Sequence, residues 1–301
     1  MHAQEVRTRL RSALAETTRQ LGEAGVPSPS ADARALIAHA ADTESPLVLL
    51  DDLPETFAER LEKLTARRVQ REPLQLILGR APFRRLMLDV RPGVFIPRPE
   101  TELAVDLMRE YVEGPLGEVV DLCSGSGALG AAVLDELPRS QVLSVEVDPV
   151  AAELTAHNLE QAGPGRGRVL EADLLGMIPE LAAVAPVDAV LSNPPYIPPE
   201  AVPRDAEVLE HDPHRALFGG GPDGLEVPRA VVAWAHRLLR PGGVLIMEHA
   251  DVQGADAREV AAGCGGFDLF RTVPDLTGRD RFLVARRALG EPTSGSERLS
   301  R

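Results

Sequence analysis

"EVVDLCSGSGALGAAVLDEL", residues 118–137, decides the fold. Val119, Val120 and Leu122 form a short apolar, β-branched run, and from Ala128 onward apolar residues recur at helical spacing. Between them, Ser124–Gly127 is too rich in glycine and serine to continue either element, so the segment reads strand, tight loop, helix. Gly125 and Gly127 are expected to bring backbone close to a ligand where a Cβ would clash. "GSGALG" (125–130) also satisfies the dinucleotide fingerprint G-x-G-x-x-G, and Glu146 lies about 20 residues on, where a carboxylate grips ribose hydroxyls. This segment alone does not separate NAD from other adenosine-containing cofactors.

Outward from the loop, "QVLSVEVD" (141–148), "GRVLEAD" (167–173), "VDAVLSN" (187–193) and "GVLIMEHA" (243–250) read as further strands. "PVAAELTAHNLEQA" (149–162) and "LEVPRAVVAWAHRLL" (225–239) read as helices. Such alternation predicts right-handed crossovers and an α/β fold, with a mainly parallel sheet covered on both faces. Ligands of such sheets sit beyond the carboxyl ends of the strands. "RFLVARR" (281–287) is expected to close the sheet. Upstream, residues 3–21, 31–40 (with Ser30 as N-cap) and 54–71 have helical periodicity, which predicts a small helical bundle over 1–80. "FRRLMLDVRPGVFI" (83–96) suggests a hairpin turning at Pro92–Gly93, within a linker over 81–100. The ligand-binding domain then spans 101–289, and residues 290–301 have the composition of a disordered tail.

Net charge is -14, yet residues 1–90 are balanced at 13 Lys+Arg and 13 Asp+Glu, leaving 19 of the 32 basic and 33 of the 46 acidic residues downstream. A negative field of that kind disfavours direct binding of nucleic acid and suits a basic protein partner. No run reaches the roughly 18 apolar residues of a membrane span, and the charged amino terminus has no signal-peptide core, so a cytoplasmic location is expected; separately, a monomer is expected. Cys123 and Cys264 suggest neither a disulfide framework nor a metal cage. Cys123 reads as a small filler, and His211, His214, His236 and His249 have no ligand spacing, so no metal is expected.

Two carboxylates favour S-adenosylmethionine over a dinucleotide. Asp121 precedes the loop, where it would attract a cationic amino group and repel a pyrophosphate. Asp173, after the third strand, offers an acceptor to the exocyclic amine of adenine. Each alone also fits a helix or turn cap. "VLSNPPYIPPE" (190–200) then delivers Asn193 to the same sheet edge. Asn-Pro-Pro is stiff, because proline fixes its own backbone and holds the residue before it extended. The Asn193 side-chain oxygen and the Pro194 carbonyl are two acceptors for the two hydrogens of a planar NH2 group. Tyr196 can pack on that group or shield a sulfonium charge.

With "IPRPETE" (96–102), "DLCSGSGALG" (121–130), "SNPPYIP" (192–198), "ALFGGGPDGLEVPRAVVAWAHRLLRPGGVLIMEHA" (216–250) and "PDLTGRDRFLVARR" (274–287), the chain resembles the PrmC/HemK family along nearly its whole length. These are glutamine N5-methyltransferases of peptide-chain release factors. The resemblance implies a class I, Rossmann-like, seven-stranded methyltransferase domain preceded by a helical substrate-recognition domain and a linking β-hairpin. It implies methyl transfer from S-adenosyl-L-methionine to the glutamine of the Gly-Gly-Gln motif, a step of translation termination, leaving S-adenosyl-L-homocysteine. Carried over by position, Cys123, Ser124, Gly125, Ser126 and Gly127 form the cofactor loop, with Asp121 before it. Glu146 binds ribose, Asp173 and Leu174 border adenine, and Arg98 and Thr101 support the pocket rim, with a helix N-cap as the alternative role for Thr101. Asn193, Pro194, Pro195 and Tyr196 grip the glutamine. Asp212 stands where the family often has glutamate, and "LQLILG" (74–79) has leucine where an aromatic or histidine is common. A ribosomal-protein glutamine or a nucleic-acid adenine N6 would also offer a planar NH2. An oxidoreductase leaves "NPPY" without a task, and a binding module without catalysis needs none of these groups.

Overall fold

The computed structural model describes residues 2–201 and 206–289, which form two compact units; the predicted tail 290–301 lies outside the described residues. In the first unit, apolar residues at three- and four-residue spacing produce α1 (His2–Glu23), α2 (Pro29–Ala40), α3 (Phe57–Val69) and the short α4 (Leu74–Leu78). Val6, Leu10, Leu21, Leu36, Ile37, Phe57 and Leu61 meet in one core. The N-cap of α2 is Ser28, not Ser30, because Pro29 takes the first helical position, where its fixed φ fits and its missing N–H costs nothing. Arg68 is buried and pairs with Asp32 at 2.8 Å and with Glu207 at 2.9 Å.

A two-stranded hairpin follows, β1 (Arg80–Phe83) and β2 (Leu86–Asp89). It turns at Arg84–Arg85, with Arg84 at φ 53°, and not at Pro92–Gly93, which lies beyond it.

The second unit then runs α5 (Leu103–Tyr111), β3 (Glu118–Leu122), α6 (Ala128–Glu136), β4 (Gln141–Glu146), α7 (Pro149–Ala162), β5 (Gly167–Glu171), α8 (Pro179–Ala182) and β6 (Val187–Ser192). After α9 (Ala206–His211), which clusters with the first unit, come α10 (His214–Leu217), α11 (Glu226–Leu238), β7 (Leu239–Glu248), α12 (Gly254–Cys264), β8 (Phe267–Pro274) and β9 (Asp280–Arg287). The sheet order is β5-β4-β3-β6-β7-β9-β8. The first five strands are parallel and the last two pairings antiparallel. "RFLVARR" therefore does not close the sheet: β9 inserts between β7 and the edge strand β8, which its half-exposed sequence left unassigned.

Period-two sorting buries both faces. Val119, Leu191 and Ile246 join Val105, Met108 and Leu134 on one side, while Val120, Val190 and Leu245 join Val231, Trp234 and Ala257 on the other. Strand order reverses between β3 and β6. At such a switch point the crossovers leave in opposite directions and open a crevice at the carboxyl ends of the strands.

Candidate active site

A cavity of about 410 Å³ occupies that crevice. Arg98, Thr101, Asp121, Cys123, Ser124, Gly125, Ser126, Glu146, Asp173, Leu174 and the segment Asn193–Tyr196 all line it. Gly127 does not. It begins α6 at φ 79°, and a Cβ there would lie 3.0 Å from the Thr155 side chain. Its glycine serves helix–loop packing and not approach to a ligand. At Gly125, with φ 57°, an added Cβ meets nothing within 4 Å, so this is the loop glycine beside open volume.

The loop is braced from α7. Thr155 donates to the Gly125 carbonyl at 2.8 Å, and Asn158 donates to the Ser126 carbonyl at 2.9 Å. Asp148 caps that helix, accepting from Val150 and Ala151. Glu146, last residue of β4, accepts from the backbone N–H groups of Gly125, Val147 and Asp148 at 2.8, 2.9 and 3.0 Å. It thus shapes the loop as well as lining the cavity. Asp173 accepts from Leu175 N at 2.9 Å, and Trp234 fixes the same turn by donating to the Leu174 carbonyl at 3.0 Å.

Asp121 is 1% exposed. One carboxylate oxygen accepts from Gly130 N at 3.1 Å, while Oδ1 is buried without a hydrogen-bond partner among the described residues. Burial raises its pKa to about 7; the Gly130 bond opposes the shift and the charge of Glu146 adds to it. An unpaired carboxylate oxygen in a mainly apolar cavity lacks a cationic partner, which the ammonium of S-adenosylmethionine would supply. The residues present therefore fit that cofactor. Cys123 sits at φ 60° with burial pushing its thiol well up in pKa, so it stays protonated and is no nucleophile.

Asn193 follows β6 directly. Its side-chain nitrogen donates to Thr101 Oγ1 at 3.2 Å, Thr101 donates to Glu248 Oε2 at 2.6 Å, and the Tyr196 hydroxyl donates to Glu248 Oε1 at 3.2 Å. Burial raises the pKa of Tyr196, with the Glu248 charge adding to it, so the phenol stays protonated. Thr101 lies inside the 3₁₀ turn Pro99–Glu102 and does not cap it; Arg98 holds the cap position, stacks on Phe95 at 4.8 Å and pairs with the buried Asp212. The stretch Gly219–Gly224 packs against the Asn-Pro-Pro-Tyr backbone. A Cβ on Gly219 would fall 2.6 Å from the Pro195 carbonyl oxygen, and one on Gly224 2.4 Å from that of Tyr196. Gln253 completes the brace by donating to the Tyr196 carbonyl at 2.9 Å.

Thr155, Asn158, Trp234, Gln253 and Glu248 were not singled out from sequence. Only Glu248 had a signal there, a carboxylate at the end of a strand that reaches the same edge as Asp121 and Glu146.

A mainly parallel seven-stranded sheet in this order is the fold of class I S-adenosylmethionine-dependent methyltransferases, and that is the class of this protein. The solved hMettl16 catalytic domain, in complex with MAT2A 3'UTR hairpin 6, shares the fold, with TM-score 0.55 at 16% identity over 75% of this chain and 82% of that one. Residues 12–79 match the PrmC N-terminal domain family and residues 86–221 the methyltransferase small domain family. Proteins named release factor glutamine methyltransferase are 42% identical in Bifidobacterium longum and 44% in Streptomyces coelicolor. The alignments cover 90% and 92% of this chain and 97% of each relative. The chain belongs to the release factor glutamine methyltransferase family.

Proposed function

We propose that this enzyme methylates the side-chain amide nitrogen, N5, of the glutamine in the Gly-Gly-Gln motif of peptide-chain release factors, in the cytoplasm. S-adenosylmethionine, when bound, supplies a methyl group on a sulfonium. The glutamine nitrogen would take that methyl with cleavage of the carbon–sulfur bond, leaving S-adenosylhomocysteine, and would give up one proton to solvent.

An amide nitrogen is a poor nucleophile because its lone pair is delocalised into the carbonyl. The Asn193 side-chain oxygen and the Pro194 carbonyl accept its two hydrogens, which orients the lone pair and favours its localisation. Positioning of this kind contributes several kcal/mol, since a well-held pair reacts as though at very high local concentration. Asp121 takes the cofactor's ammonium, Glu146 its ribose hydroxyls, and Asp173 with Leu174 its adenine. The helical unit contributes to holding the protein substrate.

The observation that carries this reading is the Asn193 carboxamide, fixed through its nitrogen by Thr101 with its oxygen left for a substrate. Transfer of tritium from labelled cofactor to a release factor tests it, with a Gln→Ala release factor as control. Asn193→Ala is expected to lower kcat at least about 10²-fold, the scale for losing one oriented polar group in a transition state, with cofactor affinity retained. Unchanged turnover in that variant refutes the assigned role.

A further inference from the structure

We infer that Glu248, acting through the Thr101 hydroxyl, is a positioning residue that sets which way round the Asn193 carboxamide stands. A carboxylate only accepts hydrogen bonds, whereas a hydroxyl has a single hydrogen to give. Thr101 lies 2.6 Å from Glu248 Oε2, so its hydrogen is spent there. Toward Asn193, 3.2 Å away, the Thr101 oxygen can therefore only accept. The end of the Asn193 carboxamide that faces it must be the NH2, and the carbonyl oxygen takes the other side.

Burial raises the pKa of Glu248, and its neighbours oppose that shift: Thr101 donates to Oε2, Arg281 adds a nearby positive charge, and the Tyr196 hydroxyl donates to Oε1 at 3.2 Å, all of which favour the accepting carboxylate. Glu248 and Thr101 are each 4% exposed, so water does not readily replace either partner. The polarity of the whole chain, from Glu248 to Thr101 to Asn193, follows from one buried carboxylate.

Reversal would disable the site. With a donor in place of the carboxylate, Thr101 would turn its hydrogen toward Asn193, and the carboxamide would flip to accept it. Two N–H groups would then meet the substrate's own NH2. The inference rests on the proposed function only for the identity of that substrate.

Glu248→Gln keeps the shape and replaces one of the two acceptors by a donor, so Thr101 and Tyr196 no longer both find an oxygen and the orientation of the Asn193 carboxamide is no longer fixed. This variant is expected to lower kcat about 10²-fold, while KM for the release factor and cofactor affinity stay within about twofold. Thr101→Val, which removes the relay without touching Glu248, is expected to do the same, and Thr101→Ser to restore turnover. A purely structural role would move affinity and stability together and would not follow this pattern.

A second readout needs no substrate. The chain has two asparagines, Asn158 and Asn193, so ¹⁵N-asparagine labelling gives two side-chain NH2 signals. Asn158, bonded to the Asp89 and Ser126 carbonyls, is the internal reference. Both Glu248→Gln and Thr101→Val are expected to shift the Asn193 pair and leave the Asn158 pair in place. Wild-type kcat in both variants, or an Asn193 signal that neither moves, overturns the inference. A wild-type enzyme inactive on release factors, with the Asn193 signal shifting as described, would instead overturn the proposed substrate alone.

Discussion

The proposed role of Asp121, as partner of the cofactor's ammonium, ties cofactor binding to pH through a single buried group. Its pKa in the fold, about 7, lies above the unfolded value of 3.8, so the native state holds the proton more tightly. Stability contributed by the protonated group is thus full below about pH 4, is lost as pH rises through 7 and is level above that. At 1.36 kcal/mol per pKa unit the loss is of the order of 4 kcal/mol. An ammonium at the unpaired Oδ1 reverses the preference, because it favours the carboxylate. Calorimetric titration with S-adenosylmethionine is expected to show affinity rising between pH 5.5 and 7 and flattening above, with proton release at the acid end. Asp121→Asn should weaken binding and abolish the slope; a slope that survives this substitution would show that another group is responsible. The strand-end position of Asp121 was legible in the sequence, but its missing partner was not, because that depends on what α6 and the loop leave unfilled around it.

At the scale of elements, the site is a set of loops whose shape is imposed from behind. Gly224 has φ +74° and an added Cβ would fall 2.4 Å from the Tyr196 carbonyl oxygen. Left-handed strain of about 1–2 kcal/mol and overpacking of about 1–3 kcal/mol together predict that Gly224→Ala loses roughly 2–5 kcal/mol. Urea unfolding measures this, and turnover should fall further than cofactor affinity. In the helical unit, Arg68→Ala would leave the buried Asp32 without its ion-pair partner, while Glu207 keeps Arg71 at 2.8 Å, at a cost of about 3–5 kcal/mol. Arg19→Ala, on an exposed face of α1, should leave the unfolding midpoint unmoved. Core strands and long helices were legible because their periodicity records burial directly. The edge strand β8 was not, since its side chains alternate between half-buried and exposed without an apolar run. Thr155 and Asn158 were equally hidden: helical spacing marks their face as buried but not which carbonyl across a loop they meet.

For the whole molecule, the surplus of carboxylates after residue 90 belongs mainly to the unit that carries the cavity. Such a field should attract a basic protein and repel a phosphate backbone. kcat/KM for a release factor is therefore expected to fall as ionic strength rises, and duplex DNA should not compete. Competition by DNA, or a rate indifferent to salt, would contradict this account of encounter. The family resemblance was legible because "IPRPETE" and "SNPPYIP" lie far apart in the chain, yet Thr101 and Asn193 meet at one edge of the sheet. That Glu248 stands behind this contact, bonded to Thr101, becomes visible only when β7 takes its place beside β6.

The central claim is that fixed oxygens present an otherwise unreactive carboxamide to a methyl donor. Fragment mass spectrometry of a release factor, after incubation with enzyme and S-adenosylmethionine, tests it most directly. The account predicts one methyl group on the side-chain nitrogen of the Gly-Gly-Gln glutamine, absent when the enzyme carries Asn193→Ala. A methyl group on any other residue, or the same modification at full rate by the Asn193→Ala enzyme, would contradict it.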